Sequence, residues 1–395
     1  MSRVSGGVDL PEVTPEERTQ SEKLLALIRR EIEGQGGWIS FARFMEMALY
    51  EPGLGYYTAG STKFGGAGDF VTAPELSPLF SRCLASQCAD VLAAVGGGDI
   101  LEIGAGTGRM AADMLNELEA LDRLPGHYLI LEVSADLRQR QIATLSTHAA
   151  RHLKRVTWLD ELPAARRGVV VANEVIDALP VDRFRMRSGT VNALGVAWHS
   201  SELAWSEKPA APALQQKVRA IERQLGTELP EGYTSEINLR LDPWLHALAR
   251  VLKAGAMFFI DYGLPRAQYY RPERHDGTLL CHFRQRFHSD PFIHVGLQDI
   301  GAWVDFTAAA EAATDAGLEV AGFTTQAHFL MGLGIEQHLH SAGERELVER
   351  LSLARQAMLL TLPGEMGERF KVLGLSRGVK QPLRGFAIRD LAASL

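Results

Sequence analysis

The chain is poor in cysteine. Cys83, Cys88 and Cys281 are its only three and form no C-x-x-C pair, which argues against a disulfide framework or a cysteine zinc site and predicts reduced thiols. Long hydrophobic runs are also missing. Nothing approaches the ~20 apolar residues of a membrane-spanning helix, so no membrane insertion is expected. Basic residues are not in excess: 41 Lys and Arg face 48 Asp and Glu, a formal net charge of −7. That balance speaks against a nucleic-acid partner gripped through its phosphates. The opening MSRVSGGVDLPEVTPEERTQ has no apolar stretch and several acids, so neither a secretory nor a mitochondrial presequence fits. The expectation is a cytoplasmic protein.

What is present reads as alternating α/β. Thr14-Pro15-Glu16-Glu17 predicts a helix start with a capping box, and FARFMEMALY a second helix closed by Pro52-Gly53. A glycine- and aromatic-rich stretch, LGYYTAGSTKFGGAGDFVTAPELSPLF, then joins a helix running to about Val95. From Asp99 the pattern alternates: DILEIGAG, YLILEVS, RVTWLD, GVVVANEV and AMFFIDYG are apolar strands separated by amphipathic helices. Strands this continuously apolar predict a parallel sheet covered on both faces. An antiparallel insertion is predicted near Val181–Trp205, and the tail offers a helix-like GEMGERFKVL and a strand-like FKVLGLS.

The first of these strands ends in Glu102-Ile103-Gly104-Ala105-Gly106-Thr107-Gly108. Glycines there let the backbone turn sharply and come close to a ligand, at the carboxyl end of a strand, where open α/β sheets bind theirs. The spacing is G-x-G-x-G and lacks the third glycine of a pyrophosphate-binding turn. Glu132 closes the second strand, the position of a carboxylate that receives ribose hydroxyls. Asp160 follows the third, placed to receive an adenine amino group. A nucleoside site without an anion cradle suits S-adenosyl-L-methionine, whose tail is an amino acid on a sulfonium. Glu102, Gly104, Ala105, Gly106, Gly108, Glu132 and Asp160 are the expected cofactor residues, with no metal.

Several separated motifs extend the assignment: FARFMEMALYEPGLGYYT, FGGAGDFVTAPELSPLF, LEIGAGTG, NEVIDALPVDRF, DYG and GTLLCHFRQRFHSDPFIHVGLQDIGAWVDF. Through them the chain resembles, from about Ile39 to Phe323, the MidA-like family of class I S-adenosylmethionine-dependent methyltransferases. That family includes mitochondrial complex I assembly-factor arginine methyltransferases. The resemblance implies a Rossmann-like seven-stranded sheet with its last strand antiparallel. It also implies methyl transfer to a protein arginine, with a subunit of respiratory NADH dehydrogenase as the type of substrate. Where the family usually has a tyrosine after GTLL, this chain has His282. The expected organisation is an N-terminal helical and loop cap over 1–95 and a core over 96–395, with insertions at about 182–250 and 264–303.

Methyl transfer is an in-line displacement, so the protein mainly has to align the reacting atoms. Carboxylates can hold a planar, cationic guanidinium bidentately. NEVIDALP places Asn173, Glu174 and Asp177 at the ligand-facing end of the fourth strand. Glu174 is the first candidate clamp, Asp177 the second, with capping of the turn before Leu179-Pro180 as its structural alternative. Asn173 is expected to line the methionine end of the cofactor. Glu236 in YTSEINL is a further substrate carboxylate, Asp69 and Thr72 belong to a cofactor-covering cap, and Asp261 either touches substrate or caps a loop. His275, His282, His288 and His294 match no metal-ligand spacing. A small-molecule N- or O-methyltransferase, and an assembly chaperone that binds the cofactor but acts by binding its partner, remain open alternatives. Neither acceptor identity nor oligomeric state is written in a motif.

Overall fold

The computed structural model describes residues 10–59, 71–340 and 347–395. These fall into two compact units. One comprises 72–177, 241–269 and 303–395, and the other 1–71, 178–240 and 270–302, so the chain passes back and forth between them.

The larger unit is built on a sheet whose seven main strands are β1 (Asp99–Ile103), β2 (Tyr128–Leu131), β3 (Val156–Leu159), β4 (Arg166–Asn173), β5 (Leu252–Leu264), β6 (Glu319–Thr325) and β7 (Phe370–Arg377). Their order across the sheet is β3-β2-β1-β4-β5-β7-β6. The two-residue strand Val304–Asp305 adds a parallel pairing beside Gly263 and Leu264. Strands β1 to β5 pair in parallel, whereas β7 runs antiparallel to both β5 and β6. This is the class I methyltransferase sheet, with the antiparallel last strand that the motifs predicted.

Val169, Val170, Val171 and Ala172 of β4 and Ala256 to Ile260 of β5 are all buried. Helices cover both faces, as a parallel sheet requires. The core gathers Ile100, Met114, Leu115, Tyr128, Val171, Phe258 and Phe329. One tail reading changes: only Met366–Arg369 of GEMGERFKVL is helical, and Phe370 already starts β7. The β-branched and apolar residues that follow pair with two neighbours, and that overrides the helix propensity of the segment.

The smaller unit opens with helix Pro15–Gly34, whose capping box forms as predicted: Glu17 N donates to Thr14 Oγ1 and Thr14 N to Glu17 Oε2. Helix Phe41–Tyr50 packs its apolar face into a cluster with Leu24, Ile28, Val196 and Ile300. Two antiparallel sheets complete the unit. One orders Glu202–Pro209, Thr190–His199, Asp182–Arg187 and Thr234–Ile237, and the other Arg286–His288, Leu280–Phe283 and Asp299–Gly301. Trp205 lies 5.1 Å from Phe41 and 4.8 Å from Phe292, centroid to centroid.

Candidate active site

The glycine turn leaves β1 and enters helix Arg109–Ala120 directly, with Gly108 as the N-cap. Gly104, Gly106 and Gly108 have φ of 67°, 53° and 85°, values that L side chains rarely adopt. A Cβ on Gly104 would sit 3.1 Å from Val175, and one on Gly108 would sit 3.0 Å from the Gln141 backbone. The spacing therefore reflects two demands, a left-handed turn and close packing against the next elements.

Beneath the turn, Glu102 is buried in β1, and the Tyr128 hydroxyl donates to it at 2.6 Å. Burial pushes its carboxyl up to about 7. Glu132 directly follows β2 and is also buried; burial raises it, while hydrogen bonds to its carboxylate pull the other way. Ser134 N donates to Glu132 Oε1 at 2.8 Å and Gln141 Nε2 to Oε2 at 2.9 Å. Gln141 is fully buried on helix Ala135–His148; it also donates to the Gly106 carbonyl at 3.0 Å and accepts from Trp158 Nε1 at 2.9 Å. Asp160 is solvent-exposed beyond β3, paired with Arg138 at 2.6 Å. Thr72 stands at the N-cap position of the short helix Ala73–Leu76 without a side-chain capping bond, and Glu75 of that helix accepts from the Thr107 hydroxyl in the glycine turn. Asp69 lies outside the described residues.

The other group of candidates sits at the ends of β4 and β5. Asn173 is buried, donates to Glu174 Oε1 at 3.1 Å, and its Oδ1 accepts no hydrogen bond. Glu174 has φ of 54°, an uncommon state for a glutamate that costs about 1–3 kcal/mol. Its N–H is held by the Ile260 carbonyl at 2.9 Å. Asp177 is buried one turn further on. Asp261 resolves its two readings in favour of the loop: its Oδ2 receives the Ile176 and Asp177 amides at 3.0 and 3.2 Å, and Oδ1 that of Tyr262 at 2.9 Å. Burial, then the charges of Asp177 and Glu174, raise the Asp261 carboxyl well above the usual range. Three carboxylates thus crowd one strand end.

Glu236 belongs to the smaller unit. It is buried on Thr234–Ile237, its Oε1 pairs with Arg183 Nε at 2.7 Å, and Oε2 accepts from Thr278 N at 2.7 Å and Thr278 Oγ1 at 3.2 Å.

A nucleoside with an amino-acid tail fits these residues. A turn with three glycines in left-handed conformations, a buried carboxylate just past β2 and an unsatisfied Asn173 oxygen at the end of β4 suit its ribose and its polar tail. Comparison with known proteins decides the matter. Residues 83–324 match the model of a family described as "Putative S-adenosyl-L-methionine-dependent methyltransferase". The chain belongs to that family. The methyltransferase is also similar, at 41% identity and a TM-score of 0.94, to a Burkholderia thailandensis protein whose crystal structure holds S-adenosyl-homocysteine. That match covers 98% of this chain and 100% of the other. Its cofactor is S-adenosyl-L-methionine. Among curated proteins it is 28% identical to protein arginine methyltransferase NDUFAF7, mitochondrial, of Danio rerio, over 85% of this chain and 82% of that one. The human protein of the same name is 26% identical, over 86% and 80%.

Those relatives correct one expectation. The zebrafish, fly, mouse and human proteins are all named mitochondrial, which overturns the cytoplasmic placement of the methyltransferase. That placement rested on the composition of the first residues, a weaker guide to compartment. No helix among the described residues is long and apolar enough to cross a membrane.

Sequence reasoning missed Gln141 and Glu75. Glu75 lay inside a quoted motif, yet nothing local marked it as the partner of Thr107. Gln141 carried no local signal, because its three partners arrive from different elements.

Proposed function

We propose that this methyltransferase acts on arginine in a protein, with a subunit of respiratory NADH dehydrogenase as the acceptor. The observation that carries the proposal is the crowding of Glu174, Asp177 and Asp261 at the ends of β4 and β5. Carboxylates forced together at one strand end gain most from a cation, and a guanidinium offers a planar donor face that two carboxylate oxygens can match. The curated relatives named protein arginine methyltransferase support the same acceptor. The family resemblance supports the NADH dehydrogenase subunit.

In this reading Glu174 clamps the guanidinium, Asp177 supplies a second carboxylate, and Asp261 holds the loop that carries both. Asn173 receives the polar methionine end of the cofactor, Glu132 the ribose hydroxyls, and Asp160 the adenine amino group once Arg138 yields it. Glu102, Gly104, Ala105, Gly106 and Gly108 shape the turn. Thr72 flanks the cofactor from the N-terminal side. The cofactor supplies a methyl group on a sulfonium, and the protein's work is alignment and charge placement. For Glu236 the supported role is to fix its own sheet, since Arg183 and Thr278 occupy both oxygens.

Labelled methyl from S-adenosyl-L-methionine, offered with the purified enzyme to a mitochondrial or cell extract lacking it, should appear on a discrete polypeptide. Hydrolysis of that polypeptide should release methylated arginine. Label confined to small molecules, or to another amino acid, would sink the arginine reading.

A further inference from the structure

We propose that Gln141 is the positioning residue of the nucleoside end: its amide aims the Glu132 carboxylate at the cofactor's ribose and couples that aim to the glycine turn. The proposal rests on the reading of Glu132 as the ribose carboxylate.

The orientation of the Gln141 amide follows from its partners. An indole N–H can only donate, so the group facing Trp158 Nε1 at 2.9 Å must be the Gln141 oxygen. The NH2 group then faces the two remaining acceptors, the Gly106 carbonyl at 3.0 Å and Glu132 Oε2 at 2.9 Å. Two hydrogens meet two acceptors, and a flipped amide would set oxygen against oxygen at both and nitrogen against the indole N–H. Trp158 acts as the key that permits one orientation.

The consequence falls on Glu132. Ser134 N holds one of its oxygens and Gln141 the other. An ionised carboxylate has about four acceptor positions, so capacity remains on both oxygens, in a plane fixed from two sides, for the two hydroxyls of a vicinal diol. Because the same NH2 group holds the Gly106 carbonyl, the plane of Glu132 and the peptide of the turn are set together. The last glycine of the motif serves this arrangement: a Cβ on Gly108 would press on Gln141 Cα at 3.0 Å.

The test is calorimetric binding of S-adenosyl-L-homocysteine and of its 2′-deoxyribose analogue to the full-length protein. Wild type should favour the natural nucleoside about tenfold, as expected for a hydrogen bond to a charged acceptor. In Gln141→Leu that preference should fall below threefold, while affinity for the deoxy analogue changes less than threefold. A residue that only supported the fold would weaken both ligands alike and leave the ratio at tenfold, and that result overturns the proposal. A wild type without the preference overturns the ribose reading of Glu132 itself. If Gln141→Leu does not fold, Gln141→Met puts the same question, since it keeps the length of the side chain and removes the amide. Its preference should drop at least threefold, and an unchanged ratio counts against Gln141.

Discussion

The two ends of the candidate site are built on opposite principles. At the nucleoside end, Glu132, Gln141, Ser134, Trp158 and the Gly106 carbonyl form one hydrogen-bonded network. At the transfer end, three acids share one region, Glu174 holds a left-handed backbone, and an Asn173 oxygen has no donor. The first end is a frame of mutually satisfied hydrogen bonds. The second gathers three acids beside a left-handed backbone.

The comparison breaks most readily at Glu174. Glu174→Gln keeps the side chain's shape and its Asn173 contact but removes the charge. Methyl transfer to a protein acceptor should fall about 10²–10³-fold, while affinity for S-adenosyl-L-homocysteine stays within about threefold. Equal losses in both measurements would erase the distinction between the ends.

A smaller effect lies under the turn. Glu102 is raised from its ordinary range to about 7 by burial, so the folded state holds its proton more tightly than the unfolded chain does. Its stabilising effect is fully present below about pH 4.5 and is lost as pH rises through about 7, a contribution of order 3 kcal/mol. Unfolding followed from pH 4.5 to 8 should therefore show a decline that Glu102→Gln flattens. A decline of the same slope in the variant would assign it elsewhere, Asp261 being the next candidate.

The smallest effect belongs to the contact between Thr107 and Glu75. Thr107→Val should weaken cofactor binding about threefold, the worth of one partly exposed hydrogen bond, and leave turnover at saturating cofactor nearly unchanged. A large fall in turnover instead would tie the glycine turn to the transfer end and blur the two.

Much of this was legible in the sequence because it depends on position along a strand. Glu132, Asn173 and Glu174 follow apolar runs, and parallel strands deliver their carboxyl ends to the same edge of the sheet. The order of apolar segments likewise predicted the parallel sheet. Side-chain partners were not legible. Asp261 looked equally suited to substrate or loop until β4 and β5 paired and put the Ile176 and Asp177 amides against it. Glu236 looked available until strand pairing set Arg183 directly opposite. Asp160 was read from spacing alone, which carries no information about Arg138, brought alongside by a helical turn. In each case the deciding neighbour comes from elsewhere in the chain.

The place of β7 has a consequence for biosynthesis. It lies between β5 and β6 and pairs with both, although it follows them in the chain. During translation β1 to β6 therefore emerge before the strand that joins β6 to the rest, leaving an open edge on β5 and another on β6. Unpaired edges invite association with other chains. Both edges stay unpaired until the final strand slots in, and a premature stop before Phe370 removes an interior strand rather than a dispensable tail.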